Sequence, residues 1–129
     1  MSSVKNFFKS FYYAFHGFST GLSQRNLKIH LFVAFLVVFF GSILALSPIE
    51  WLIIVLCISM VISAELFNTA VEEICNLLNA KLKLDYYDTW NPRNLAAAAV
   101  LIVSAAAALI GLVIFVPKII LLIPSATIQ

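Results

Sequence analysis

The sequence predicts an all-α integral membrane protein: an N-terminal amphipathic helix in the membrane interface, then three transmembrane helices. Three observations carry this. Hydrophobic residues make up 63% of the 129 positions, with a mean hydropathy of +1.04, whereas soluble domains are about half apolar. Charged residues are only 11%, and they fall largely outside apolar runs of about twenty residues, enough to cross a hydrocarbon core about 30 Å thick. Ser47-Pro48 and Asn91-Pro92 stand at the openings of two such runs, as helix starts do.

One membrane domain covering 1–129 is the sensible count. A net charge of +2 with no basic run excludes a nucleic-acid partner. Cys57 and Cys75 fall on one helix, eighteen positions apart, so they cannot pair within the chain and read as packing residues. Lys5 and Lys9 lie among aromatics at the N-terminus, without the apolar core and small-residue cleavage site of a signal peptide.

In chain order, residues 4–22 place Val4, Phe7, Phe8, Phe11, Phe15, Phe18 and Leu22 at helical intervals, with Lys5, Lys9, Tyr13 and His16 mostly elsewhere round the wheel. That pattern predicts an amphipathic surface helix. Residues 27–46 are apolar apart from Lys28, His30 and Ser42, giving the first transmembrane helix. Ser47-Pro48-Ile49-Glu50 reads as a capping box with Pro48 at the first helical position. The short connection forces an antiparallel hairpin. Trp51 suits an interfacial aromatic.

The second transmembrane helix covers 48–78 and carries the chemistry. Taking Glu65 as origin, Asn68 falls at about 300°, Glu72 at about 340° and Asn76 at about 20° round the wheel. Two carboxylates and two carboxamides thus form one narrow stripe on an otherwise apolar helix. Ionisable groups in a span are costly and mark a site facing the bundle interior or water; helix glue by hydrogen bonding is the plainer alternative. Glu65 lies roughly 25 Å and Glu72 roughly 36 Å from the helix start, so the stripe straddles the far interface.

Residues 79–90 read as an interfacial loop or helix extension. The third transmembrane helix covers 92–116, with Asn91 as N-cap, and stops at Pro117. Its Ala96–Ala99 and Ala105–Ala108 runs with Gly111 predict close helix packing, a substrate groove being the rival reading. The apolar tail ending Pro124-Ser125-Ala126 has no assigned role. Lys5, Lys9, Arg25, Lys28, Lys81, Lys83 and Arg93 group on one side and Lys118 on the other. The positive-inside rule puts the N-terminus and the stripe in the cytoplasm and the C-terminus outside. Three helices are too few to shield both the polar stripe and the alanine-rich helix from lipid, which predicts an oligomer.

The spacing leaves two chemistries open. Mg²⁺ is held by one or two carboxylates with phosphate oxygens and waters, and phosphoryl transfer needs mainly positioning and charge neutralisation. Ion or proton transport through a Glu-lined bundle is the other reading. No Gly-rich loop, Walker motif or soluble-kinase signature is present.

Glu65-Leu66-Phe67-Asn68-Thr69-Ala70-Val71-Glu72 resembles the E-x-x-N-[ST]-A-[IV]-E signature of the prokaryotic diacylglycerol kinase family. Phe7–Phe11, Arg25-Asn26-x-Lys28-Ile29-His30, Glu50-Trp51, Ala96–Leu101 and Ile110–Ile119 resemble its Gram-positive branch, whose members phosphorylate undecaprenol. The likeness runs in order over about residues 5–120. It implies a homotrimeric lipid kinase of the bacterial cytoplasmic membrane, using ATP and Mg²⁺ at sites shared between subunits. It further implies Glu65 as general base, Glu72 as metal ligand and Asn68 as a substrate-side support. Lys9 is placed towards the lipid substrate, and Tyr13, Glu72, Asn76, Arg93 and Asn94 towards the nucleotide. The sequence departs from the family where a second metal-ligating Glu is Gln24, an Asp is Asn76, a Lys-Asp pair is Arg93-Asn94 and an Ala-Ala-Gly-Ala stretch is Ala96–Ala99. The loop before Arg93 is also a few residues longer. A Gln oxygen can touch Mg²⁺ but brings no charge. The departures make a silent, lipid-binding family member the alternative reading, with a proton-coupled transporter more distant.

Overall fold

A computed structural model describes residues 2–122. The order is α1 (Ser2–Gly21), α2 (Arg25–Ile43), α3 (Pro48–Leu82), a 3₁₀ turn (Tyr86–Thr89) and α4 (Trp90–Leu122). Among the described residues α2, α3 and the segment ending in α4 are three helices long and apolar enough to cross a membrane. The expected tail at Pro124–Ala126 lies outside the described residues.

α3 is the axis of the subunit. It packs along α4 and, less extensively, against α2. The capping box forms: the Ser47 N–H donates to Glu50 Oε2 at 2.6 Å, and the Glu50 N–H donates to Ser47 Oγ at 3.4 Å. Two donors that hydrocarbon could not satisfy are thereby paired at the start of the helix. Glu50 also pairs with Lys118 of α4 at 3.1 Å, tying that end of α3 to α4. The α2–α3 turn closes with Ala45 left-handed (φ 48°) and the Leu46 N–H donating to the Gly41 carbonyl at 3.3 Å. Leu46 then folds onto Gly41, where a Cβ would collide with Leu46 and sit 3.1 Å from the Trp51 ring. Leu46, Ile54 and Ile114 form a small core at this end, joined by Val37, Trp51, Ile58 and Phe115.

Most large apolar side chains on the long helices face outward, among them Phe35, Leu52, Leu101 and Val113. Such a continuous apolar surface needs lipid or another chain to cover it. α1 carries its phenylalanines exposed, with Phe7 and Phe11 edge to face at 5.0 Å. It meets α3 through its last residue: Gly21 is buried, and a Cβ there would lie 2.6 Å from Leu66 Cδ2.

Four sequence expectations are corrected. α3 runs on to Leu82 rather than ending near Leu78, and closes with Lys83 left-handed (φ 54°) and the Leu84 N–H donating to the Asn79 carbonyl at 3.1 Å. α4 begins at Trp90, so Asn91 is not its N-cap. The 3₁₀ turn leads straight into the helix, and Pro92 falls in the first turn, where no N–H partner exists to lose. α4 also passes through Pro117 and continues to Leu122. In an apolar surrounding a frayed helix end leaves several backbone groups unpaired, a greater penalty than one missing hydrogen bond at proline. Finally, Gly111 makes no close helix contact, since nothing lies within 4 Å of a Cβ built there. With Ala107, Ala108 and Ser104 it lines an apolar cleft of about 640 Å³ between α2, α3 and α4.

The double use of Glu50 orders three substitutions. Ser47→Ala should lower stability by about 1 kcal/mol through loss of the cap. Glu50→Ala should destabilise more, because it loses both the cap partner and the Lys118 contact, and Lys118→Ala should destabilise least. Thermal unfolding in detergent micelles checks the order; Lys118→Ala as the most damaging change would contradict it.

Candidate active site

The stripe on α3 lies on one face, and its burial falls off towards the end of the helix. Glu65 is 3% exposed and Asn68 5%, Glu72 is half-buried and Asn76 exposed. Thr69, beside Asn68, is also buried. The Asn68 Nδ2 donates to Glu72 Oε1 at 3.1 Å. Because a carboxylate only accepts, this bond fixes which way the amide points. Asn68 Oδ1 is left buried with no partner among the described residues. An unsatisfied buried acceptor costs about 1–3 kcal/mol, and Asn79 Oδ1 and Ser104 Oγ are also buried without a partner among the described residues.

One turn past Glu72, Asn76 reaches the start of α4. Its Oδ1 accepts from Arg93 Nη2 at 3.0 Å. Arg93 Nε donates to Thr89 Oγ1 at 3.3 Å, and the guanidinium carbon lies 5.0 Å from the centre of the Tyr86 ring. Asn68–Glu72 and Asn76–Arg93 thus follow each other along one line at the end of the α3–α4 pair. This end has a buried carboxylate, a half-buried carboxylate and a buried cation spread over about three helical turns of α3, the cation being bonded to α3 through Asn76.

The remaining sequence-derived residues stand apart. Lys9 and Tyr13 are exposed on α1, whose contact with α3 is through Gly21. Gln24 precedes α2, half-buried, and its side chain caps no helix N–H. Asn94 is exposed on α4. Among the described residues no three His, Cys, Asp or Glu side chains gather where they could hold a metal. Glu72 can therefore offer one carboxylate ligand, with its Oε2 outside the Asn68 bond, and a Mg²⁺ ion would have to complete its shell from phosphate oxygens and water. That donor set fits a cation delivered on a nucleotide.

Sequence reasoning missed Thr89 and Tyr86. The i, i+4 spacing of Thr89 and Arg93 was a usable signal, but it makes a shared face only because the 3₁₀ turn runs directly into α4. The cleft reaches this region as well: Val61 and Ile62, one turn before Glu65, line it with His30.

Residues 12–115 match the family described as prokaryotic diacylglycerol kinase. The chain is 36% identical over 118 residues to an undecaprenol kinase of Bacillus subtilis, covering 91% of this chain and 94% of that protein. It is 32% identical over 114 residues to a diacylglycerol kinase of Synechocystis sp., covering 87% of this chain and 63% of that protein. No solved structure matches. With the match running through all three long helices, the chain belongs to the prokaryotic diacylglycerol kinase family.

Proposed function

We propose that the chain is a membrane lipid kinase that transfers the γ-phosphate of ATP to the hydroxyl of a membrane alcohol, undecaprenol in preference to diacylglycerol. The observation that carries this is the orphaned Asn68 carbonyl beside buried Glu65, one to two helical turns beyond Val61 and Ile62, which line an apolar cleft. A lipid hydroxyl arriving from the bilayer can donate to Asn68 Oδ1 and then give its proton to the Glu65 carboxylate. Its oxygen forms a bond to the γ-phosphorus as the bond from phosphorus to the β,γ-bridging oxygen breaks, and ADP leaves with that electron pair. Arg93 lies one helical turn beyond Glu72, bonded to Asn76, and supplies positive charge to the phosphates. Glu72 would hold Mg²⁺ together with phosphate oxygens, and the ion would supply charge neutralisation. The preference for undecaprenol rests on the relative of that name, which the chain matches over nearly its whole length.

The same reading places α1 in the membrane interface, its exposed phenylalanines in the acyl boundary. It puts the Lys81–Arg93 side in the cytoplasm by the positive-inside rule, in a bacterial cytoplasmic membrane. It assembles the subunits as a homotrimer that covers the outward apolar faces and shares sites between neighbours. On this reading Lys9 and Tyr13 would meet substrate from α1, and Asn94 would act on the nucleotide side. A silent, lipid-binding member is the second reading. It is favoured by the amides Gln24, Asn76 and Asn94 and by the lack of a three-residue metal cluster among the described residues. Transfer of ³²P from ATP to undecaprenol or diacylglycerol in mixed micelles separates the two.

Glu65→Gln should reduce that transfer by about 100-fold or more, the scale of a lost general base, while detergent-stable oligomers persist. Wild-type turnover in this variant would remove Glu65 as base. Native mass spectrometry from nanodiscs should give a trimer; a monomer would count against the shared sites. Gln24→Glu should lower the Mg²⁺ concentration needed for half-maximal activity by adding a charged oxygen, and an unchanged Mg²⁺ titration would show that Gln24 does not face the metal.

A further inference from the structure

Arg93 is held in an unusual way for a buried cation. It is only 8% exposed, yet its partners are an amide oxygen, a hydroxyl and an aromatic face, all neutral. The ion pair recorded among the described residues joins Lys118 to Glu50, at the other end of the helices. Removing a cation from water is costly unless an anion compensates. Arg93 also lies in the first turn of α4, where the helix dipole disfavours positive charge. Simple packing would favour a carboxylate partner or an apolar residue here.

Thr89 is what orients it. The hydroxyl donates to the Tyr86 carbonyl at 3.4 Å and accepts from Arg93 Nε at 3.3 Å, so a buried threonine links the turn backbone to the guanidinium. The Tyr86 ring covers the guanidinium face, an attraction that does not cancel the charge. Of the five guanidinium N–H groups, two donate to Thr89 and Asn76, and three remain, enough to meet two oxygens of one acceptor.

We propose that Thr89 and Tyr86 are positioning residues that hold the Arg93 guanidinium fixed and un-neutralised, so that its free N–H groups grip a phosphate of the bound nucleotide. This deepens the kinase reading and rests on it for the identity of the ligand. The longer loop before α4 has a role on this view: it supplies the two neutral groups that aim the arginine.

The test uses the full chain in nanodiscs of phosphatidylcholine, which offers no net-anionic lipid. Mg²⁺–ATP binding is measured directly, alongside KM for ATP and kcat with undecaprenol. Thr89→Val should weaken ATP binding and raise KM by about tenfold, the scale of one hydrogen bond to a charged group, with little change in kcat. Thr89→Ser should restore both to within about twofold, since it keeps the hydroxyl. Tyr86→Leu should weaken ATP binding by about threefold and Tyr86→Phe should not, because the ring face makes the contact. The Tyr86 ring is largely exposed, so these variants test the clamp even where Thr89→Val lowers stability. Unchanged ATP affinity in Thr89→Val and Tyr86→Leu, or loss of kcat without a change in KM and no rescue by serine, would overturn the proposal. No transfer to any lipid alcohol, with the Thr89 and Tyr86 pattern of ATP binding intact, would overturn the kinase reading and leave the clamp supported.

Discussion

Polar groups without water must find partners, and this requirement governs the molecule from its helix ends to its site. In hydrocarbon each unpaired backbone group costs several kcal/mol, which is why the described spans are helices and why α4 passes through Pro117. The same pressure gives Ser47 and Glu50 their reciprocal bonds at the start of α3. Where the requirement is violated among the described residues, Asn68 Oδ1 and Asn79 Oδ1 lack a partner on α3, Ser104 Oγ lacks one on α4, and Arg93 is bonded to neutral groups at the end where α3 gives way to α4.

The small core of Leu46, Ile54 and Ile114 and the Glu50–Lys118 contact hold the opposite end of the hairpin. At the polar end the buried Leu27 and Cys75 stand beside the hydrogen bonds of Asn68, Asn76 and Thr89. Groups held in this way are already oriented, which lowers the ordering cost of any contact they make. At position 76 the amide accepts from Arg93 without neutralising it.

Family membership and site geometry contribute different things. The match through residues 12–115 identifies the lineage, while what a particular member does depends on its site residues. Here Thr89 and Tyr86 lie in the segment that leads into α4 and hold Arg93 there. The cleft lined by Ser104, Ala107, Ala108 and Gly111 is likewise a property of how the helices sit, because those small residues leave space rather than fill it.

The sequence by itself determined three apolar spans, the capping box at Ser47 and the single-faced stripe of Glu65, Asn68, Glu72 and Asn76. Each follows from local rules: length against bilayer thickness, a reciprocal cap and a 3.6-residue period. The tertiary structure decided what local rules cannot. Whether Asn91 or a 3₁₀ turn opens α4 depended on how the loop closes, through the Asp85 N–H bond to Asp88 Oδ2 at 2.8 Å and the run of that turn into Trp90. Whether the alanines pack or line a space depended on where α2 stands relative to α4. Asn76 and Arg93 meet across seventeen positions, and no periodicity within either helix encodes that meeting. It exists because α3 and α4 pack side by side, which brings the end of one helix to the start of the next.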